Sequence, residues 1–167
     1  RVDFTLTASS AVWKKLNLAV NASEHSDKYS FEIEGGNFNA AGTVSTRLKS
    51  ILKQMGLPDD VVRKSAIVSY EAEINIVSYA TKGTIQFSVN PESVVIDVWD
   101  EGPGIPDIEL AMQPGYSTAN QQIREMGFGA GMGLYNIKTY SDQFDIHSEV
   151  NKGTHLKMVI HRNSDKK

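Results

Sequence analysis

The chain contains no cysteine, so neither disulfide bridges nor thiolate metal sites can hold its fold together. No apolar run approaches the roughly 20 residues needed to cross a bilayer as a helix, and Arg1 to Thr7 lack the charged-then-apolar order of a signal peptide. An excess of one charge is also missing. The 17 basic and 20 acidic residues are interspersed to a net −3, which argues against a nucleic-acid surface or a polybasic membrane patch. The expected location is the cytoplasm, and the expected partners are nucleotides or proteins, with no nucleic acid and no membrane. What is present is 167 residues, 40% of them hydrophobic, enough for one domain with its own core.

The chain divides into three parts. Residues 1–28, rich in Ser, Ala and Asn, read as a leader or linker, within which Val12, Trp13, Leu16 and Val20 fall on one side of a helix. That stretch fits a partly packed linker or a partner-docking helix. Asn21-Ala22-Ser23 matches a glycosylation sequon, a chance match in a cytoplasmic chain. Residues 29–162 form the domain, and 163–167 read as a solvated tail.

Within the domain, Tyr29 to Glu34 alternates apolar and polar residues as a half-buried strand does. Val44, Leu48, Ile51, Leu52 and Met55 then recur at helical spacing, with Gly56 placed for a left-handed C-terminus. Pro58 and Asp59 open a helix that runs to about Ala80, with an expected apolar stripe of Ile67, Tyr70, Ile74 and Val77. Ile85 to Val89 and Val94 to Trp99 form a hairpin around Asn90 to Ser93. A polar lid lies between glycine-rich segments, Leu134 to about Ser141 forms a helix, and two more strands flank Asn151-Lys152-Gly153. This order predicts an α+β domain with helices packed on one face of a mostly antiparallel sheet. Trp99, Phe87, Phe144 and Ile146 are expected in the core or in sheet packing. His25, His147, His155 and His161 lack metal-like spacing.

Three stretches carry chemistry. Glu71 and Asn75 are four residues apart on one helix, roughly 40° apart around its axis, so they can reach one ligand. An amide oxygen is a hard, neutral ligand for Mg²⁺, and a carboxylate one turn earlier can accept a hydroxyl proton. Asp100-Glu101-Gly102-Pro103-Gly104 follows a strand, which places the Asp100 carboxylate on the side of Val94, Ile96 and Val98, where it could accept from an exocyclic amine such as that of adenine. Gly127, Gly129, Gly131 and Gly133 precede a helix, where exposed backbone N–H groups suit phosphates. The loop is not of the Walker type, which ends in Gly-Lys-Ser/Thr.

The order of these pieces resembles the GHKL ATPase superfamily. YEAEINIVSYA, DEGPGIPD, GFGAGMGL and FDIHSEVNKGTHLKM are most similar to the anti-sigma-factor and switch-type serine/threonine protein kinases of bacterial partner-switching systems. The resemblance spans about Tyr29 to Ile160 and implies the two-layer Bergerat fold, with a mostly antiparallel mixed sheet. It implies ATP and Mg²⁺ as cofactors, Glu71 as catalytic base, Asn75 as metal ligand, and Asp100 and Thr154 as contacts to the base. It further implies that Gly102 and Gly104 shape the adenine pocket and that Gly129, Gly131 and Gly133 cradle phosphates. The implied partner is a STAS-type anti-anti-sigma protein that receives the phosphate, with a sigma factor or another regulator as a further partner and a homodimer left open. Two alternatives stay open: a nucleotide-binding regulator that sequesters its partner without transfer, and the catalytic domain of a two-component histidine kinase. The nearest arginine before the last lid glycines is Arg124, farther upstream than the lid arginine of some anti-sigma kinases.

Overall fold

The computed structural model describes residues 27–163. The amphipathic stretch, the sequon and His25 lie outside them. Five strands form one sheet: β1 (Asp27–Glu34), β2 (Lys82–Val89), β3 (Ser93–Glu101), β4 (Gln143–Glu149) and β5 (Gly153–His161), in the order β1-β2-β3-β5-β4. Every ladder is antiparallel, so the mixed sheet expected from the resemblance has no parallel pair among the described residues. Strand β5 lies between β3 and β4, which separates the two strands that would otherwise have paired in parallel.

Helices α1 (Thr43–Gln54) and α2 (Asp59–Tyr79) pack against each other, and α5 (Gly133–Tyr140) packs on the other side of α2. The core lies between this layer and the sheet, where Leu48, Leu52, Val68, Ile76, Ile85, Phe87, Ile96 and Met158 are fully buried. Burying one such side chain contributes about 1.5–3 kcal/mol. The alternation in β1 holds: Tyr29 and Phe31 stack on Phe87 with ring centroids at 4.7 and 6.1 Å, and their polar neighbours face outward. Helix α1 ends where Gly56 predicts. There φ is +74°, the Gly56 N–H reaches the Lys53 carbonyl, and the Leu57 N–H reaches the Leu52 carbonyl, the paired closure of a left-handed C-terminus.

Two sequence expectations are corrected, the α2 stripe and the lid. Of the expected α2 stripe, Ile74 and Val77 are buried, whereas Ile67 is only half-buried and Tyr70 is exposed; the buried face also takes in Val61, Ser65, Val68, Ser69, Ala72 and Ile76. Ser65 and Ser69 are fully buried in that face, with no hydrogen-bond partner for either hydroxyl among the described residues. Trp99 takes the second of its two expected places, sheet packing outside the core. It is 40% exposed on the open face of the sheet, where it stacks on His155 at 4.8 Å. The polar lid contains two short helices, α3 (Ile108–Ala111) and α4 (Gln121–Glu125). Each is capped by the residue before it, Asp107 accepting from the Leu110 N–H and Asn120 from the Ile123 N–H, both at 2.9 Å.

The N-terminus of α1 is capped from another helix. Gly42 precedes it with φ +89° and has no side chain to cap with. The carboxylate of Glu73, only 2% exposed, accepts instead from the N–H groups of Gly42 and Val44 at 3.0 Å and of Ser45 at 2.9 Å. Charge-assisted bonds to amides that α1 cannot satisfy internally give this buried carboxylate its partners. Two residues on either side of it, Glu71 and Asn75 are half-buried and face the other way.

Candidate active site

Between α2, the open end of β3 and the lid lies a cavity of ≈ 570 Å³, the size of a small-molecule site. Glu71 and Asn75 line one end of it, with Gly129, Gly131 and Gly133. Asp100, Thr154, Val98, Leu156 and Ile105 line the other end. The cavity thus has a polar, glycine-rich end and an apolar end holding one carboxylate.

At the polar end, the first turn of α5 runs directly over α2. A Cβ built on Gly133 would stand 3.3 Å from Asn75 Oδ1 and 3.5 Å from Glu71 Oε2, so the helix N-terminus lies directly beside both side chains. No side chain caps α5, and Met132, Gly133 and Leu134 at its start line the cavity, the kind of uncapped helix N-terminus that suits an anion. The lid glycines are held in place by the Gly115 N–H, which donates to the Gly131 carbonyl at 2.8 Å, and by Phe128, which stacks on Phe38 at 5.7 Å. Tyr116, Ser117 and Thr118 also line the cavity.

At the apolar end, strand β3 delivers Asp100 and strand β5 delivers Thr154. The Thr154 N–H donates to Asp100 Oδ1 at 3.2 Å. Burial pushes the Asp100 carboxyl above the usual carboxylate range, and this backbone hydrogen bond opposes the shift. Gly153 makes the approach possible, since a Cβ there would overlap the Asp100 carbonyl and its φ is +141°. The loop after Asp100 is tied to the β4–β5 turn, with the Asn151 N–H on the Pro103 carbonyl at 2.8 Å and the Ile105 N–H on Ser148 Oγ at 2.8 Å. Ser148 Oγ in turn lies 2.9 Å from Thr154 Oγ1.

The structure therefore brings Glu71, Asn75, Asp100, Gly104, Gly129, Gly131, Gly133 and Thr154 to one cavity. Gly102 lies outside its lining, backed against Asp100 and Ala80. Arg124 is also outside it, and its Nε donates to the Ala119 carbonyl at 3.1 Å. No Lys or Arg is among the described residues that line the cavity. Sequence reasoning missed Ser148, Glu73 and Asn136, the last of which donates from Nδ2 to Glu71 Oε1 at 2.9 Å. Glu73 and Asn136 meet their partners only through tertiary packing, and Ser148, a hairpin neighbour of Thr154, meets the Ile105 N–H in the same way.

Among the described residues, no helix is long and apolar enough to cross a membrane, and no group of three or more His, Asp or Glu residues could hold a metal ion. Comparison with known proteins agrees with the geometry. The chain is 36% identical over 107 residues to an anti-sigma F factor of Thermoanaerobacter sp. (strain X514), covering 64% of this chain and 67% of that protein. It is 31% identical over 116 residues to the serine/threonine-protein kinase RsbT of Bacillus subtilis (strain 168), covering 66% of this chain and 80% of that one. Its fold matches a chain in the crystal structure of the SiaB-SiaC complex from Pseudomonas aeruginosa with a TM-score of 0.56 at 13% identity, over 91% of this chain and 100% of that one. The family model of the histidine kinase-like ATPase domain matches residues 37–160, which span all the cavity residues named above, and the chain belongs to that family.

Proposed function

We propose that this chain is an ATP-dependent serine/threonine protein kinase and anti-sigma-type regulator, which transfers the γ-phosphate of ATP to a hydroxyl on a STAS-type partner protein. The observation that carries the reading is the placement of Glu71 and Asn75 at the glycine-rich end of a cavity whose apolar end holds Asp100. The similarity to proteins named as an anti-sigma F factor and a serine/threonine-protein kinase supports it. In this reading Asp100 accepts from the adenine amine, Thr154 lies beside the base, and the amides of the lid and of α5 receive the phosphates. Glu71 orients the acceptor hydroxyl and takes its proton as the bond to phosphorus forms. Its position beside the phosphates favours transfer over simple sequestration, which needs no base.

The residues fit Mg²⁺ held largely by the nucleotide. Mg²⁺ characteristically takes one or two protein oxygens and completes its shell with phosphates and waters, and Asn75 Oδ1 supplies one neutral oxygen at the anion end. The ion would screen phosphate charge in a cavity whose charged lining residues are Glu71, Asp100 and Asp107. Asn75→Ala is therefore expected to weaken binding of Mg-ATP more than binding of metal-free ATP, as read by calorimetry with and without Mg²⁺. Equal losses in the two titrations would remove Asn75 from the metal.

The kinase reading is tested by incubating the protein with γ-labelled ATP and STAS-type proteins that bind it. Label is expected on a serine or threonine of the partner. A tight-binding partner that never acquires label would instead favour sequestration, with the nucleotide serving only to set affinity.

A further inference from the structure

Helix α5 does more than present amides to the cavity. Three residues beyond Gly133 it carries Asn136, half-buried against α2, whose Nδ2 donates to Glu71 Oε1 at 2.9 Å. This is the only hydrogen bond to the Glu71 carboxylate among the described residues. The other oxygen, Oε2, lies beside Gly133 at the anion end of the cavity. The two carboxylate oxygens thus have different surroundings, one anchored to α5 and one facing the glycine-rich end.

A glutamate side chain has three rotatable bonds, and on the edge of a cleft it would otherwise sample several rotamers. A neutral amide donor restrains it without adding charge. A lysine at this position would compete for the carboxylate as a counter-ion, and an aspartate would repel it. Asn136 itself is kept in place because its backbone N–H is bonded within α5, to the Met132 carbonyl at 2.8 Å. One short helix therefore fixes both the amides that face the anion and the orientation of the carboxylate beside them.

We propose that Asn136 is a positioning residue for the transfer step: by holding Oε1 it turns Oε2 toward the acceptor hydroxyl, so that base and phosphate are aligned by the same helix. This rests on the kinase reading of the cavity. Asn136 does not itself line the cavity, so its contribution should be to rate and not to nucleotide affinity.

The test is a kinetic comparison of Asn136→Leu, Asn136→Gln and Asn136→Asp, alone and in a Glu71→Ala background, with melting temperatures measured for each. Misplacing a reacting group by about an ångström costs on the order of 100-fold, so Asn136→Leu is expected to lower kcat by about 10- to 100-fold. Its nucleotide Kd should stay within about twofold of the wild-type value, given that the substituted site is outside the cavity. Asn136→Gln, still a donor, should recover part of the rate, and Asn136→Asp should not. In the Glu71→Ala background Asn136→Leu should have no further effect, since the residue acts through Glu71. An unchanged kcat in Asn136→Leu, or the same loss with and without Glu71, overturns the assignment while leaving the kinase reading intact. No transfer by the wild-type protein to any tight-binding partner overturns the kinase reading and this assignment with it.

Discussion

Glu71→Gln is expected to bind nucleotide and partner as the wild-type protein does, yet to transfer phosphate about 10²–10⁴-fold more slowly, the usual contribution of a positioned general base. The substitution preserves size and the capacity to accept from Asn136, and it removes only the charge and the basicity. The cavity gives a structural reason to expect this separation. Glu71 stands beside Gly133 and Asn75 at the glycine-rich part of the cavity, whereas Asp100 and Thr154 lie together with Val98 and Leu156, the part proposed to take the base. Single-turnover transfer, measured beside calorimetric affinities, checks it. Transfer at the wild-type rate would mean that another group accepts the proton.

Glu73→Ala is expected to produce the largest loss of stability of any single change in α2, about 3–5 kcal/mol. Three backbone N–H groups, of Gly42, Val44 and Ser45, would lose their acceptor at once, at a helix N-terminus that has no side-chain cap of its own. Each buried donor left unpaired costs about 1–3 kcal/mol, and the costs are not fully additive. Against a typical stability of about 5–15 kcal/mol the loss is severe. Glu73→Gln keeps one acceptor oxygen and should fall between the wild type and the alanine variant. Urea unfolding should show a lower midpoint with an unchanged slope. A loss below about 1 kcal/mol for alanine would show that water replaces the carboxylate at little cost.

The contrast between Glu71 and Glu73 shows how far the sequence could be read. The two glutamates are two residues apart on one helix, and both are ionisable groups in an otherwise apolar stretch. Glu71 was singled out because its spacing to Asn75 and the downstream glycine motifs form an ordered pattern along the chain. Glu73 carried no such signal. Its partners lie 28 to 31 residues away, and only the docking of α1 onto α2 brings them within hydrogen-bond distance. The strands and both hairpins were legible because alternation and turn residues are local: Asn90 Oδ1 accepts from the Glu92 and Ser93 N–H groups, and Asn151 takes the left-handed φ of 63°. The stripe of α2 is only half legible: Ile74 and Val77 are buried as expected, but the buried face also takes in Ser65, Ser69 and Ala72, which apolar periodicity does not mark. The lid helices, four and five residues long, are too short to show a period. Composition alone did not decide between the two places expected for Trp99, and its cross-strand neighbour His155 offers a ring to stack on outside the core.

The base-binding end of the cavity can be tested by one competition titration, in which ATP and GTP displace a fluorescent adenine nucleotide from the wild type and from Asp100→Asn in the presence of Mg²⁺. Asp100 can accept from the amine of adenine but would face a carbonyl oxygen in guanine, leaving a half-buried carboxylate with only the Thr154 N–H as partner and an acceptor opposed to it. Such mispairing costs about 1–3 kcal/mol, so ATP is expected to compete roughly 10- to 100-fold more effectively than GTP, and Asp100→Asn is expected to erase that preference. Equal competition by the two nucleotides, or an undiminished preference in Asp100→Asn, would contradict the assignment of this cavity as an adenine-nucleotide site read by Asp100.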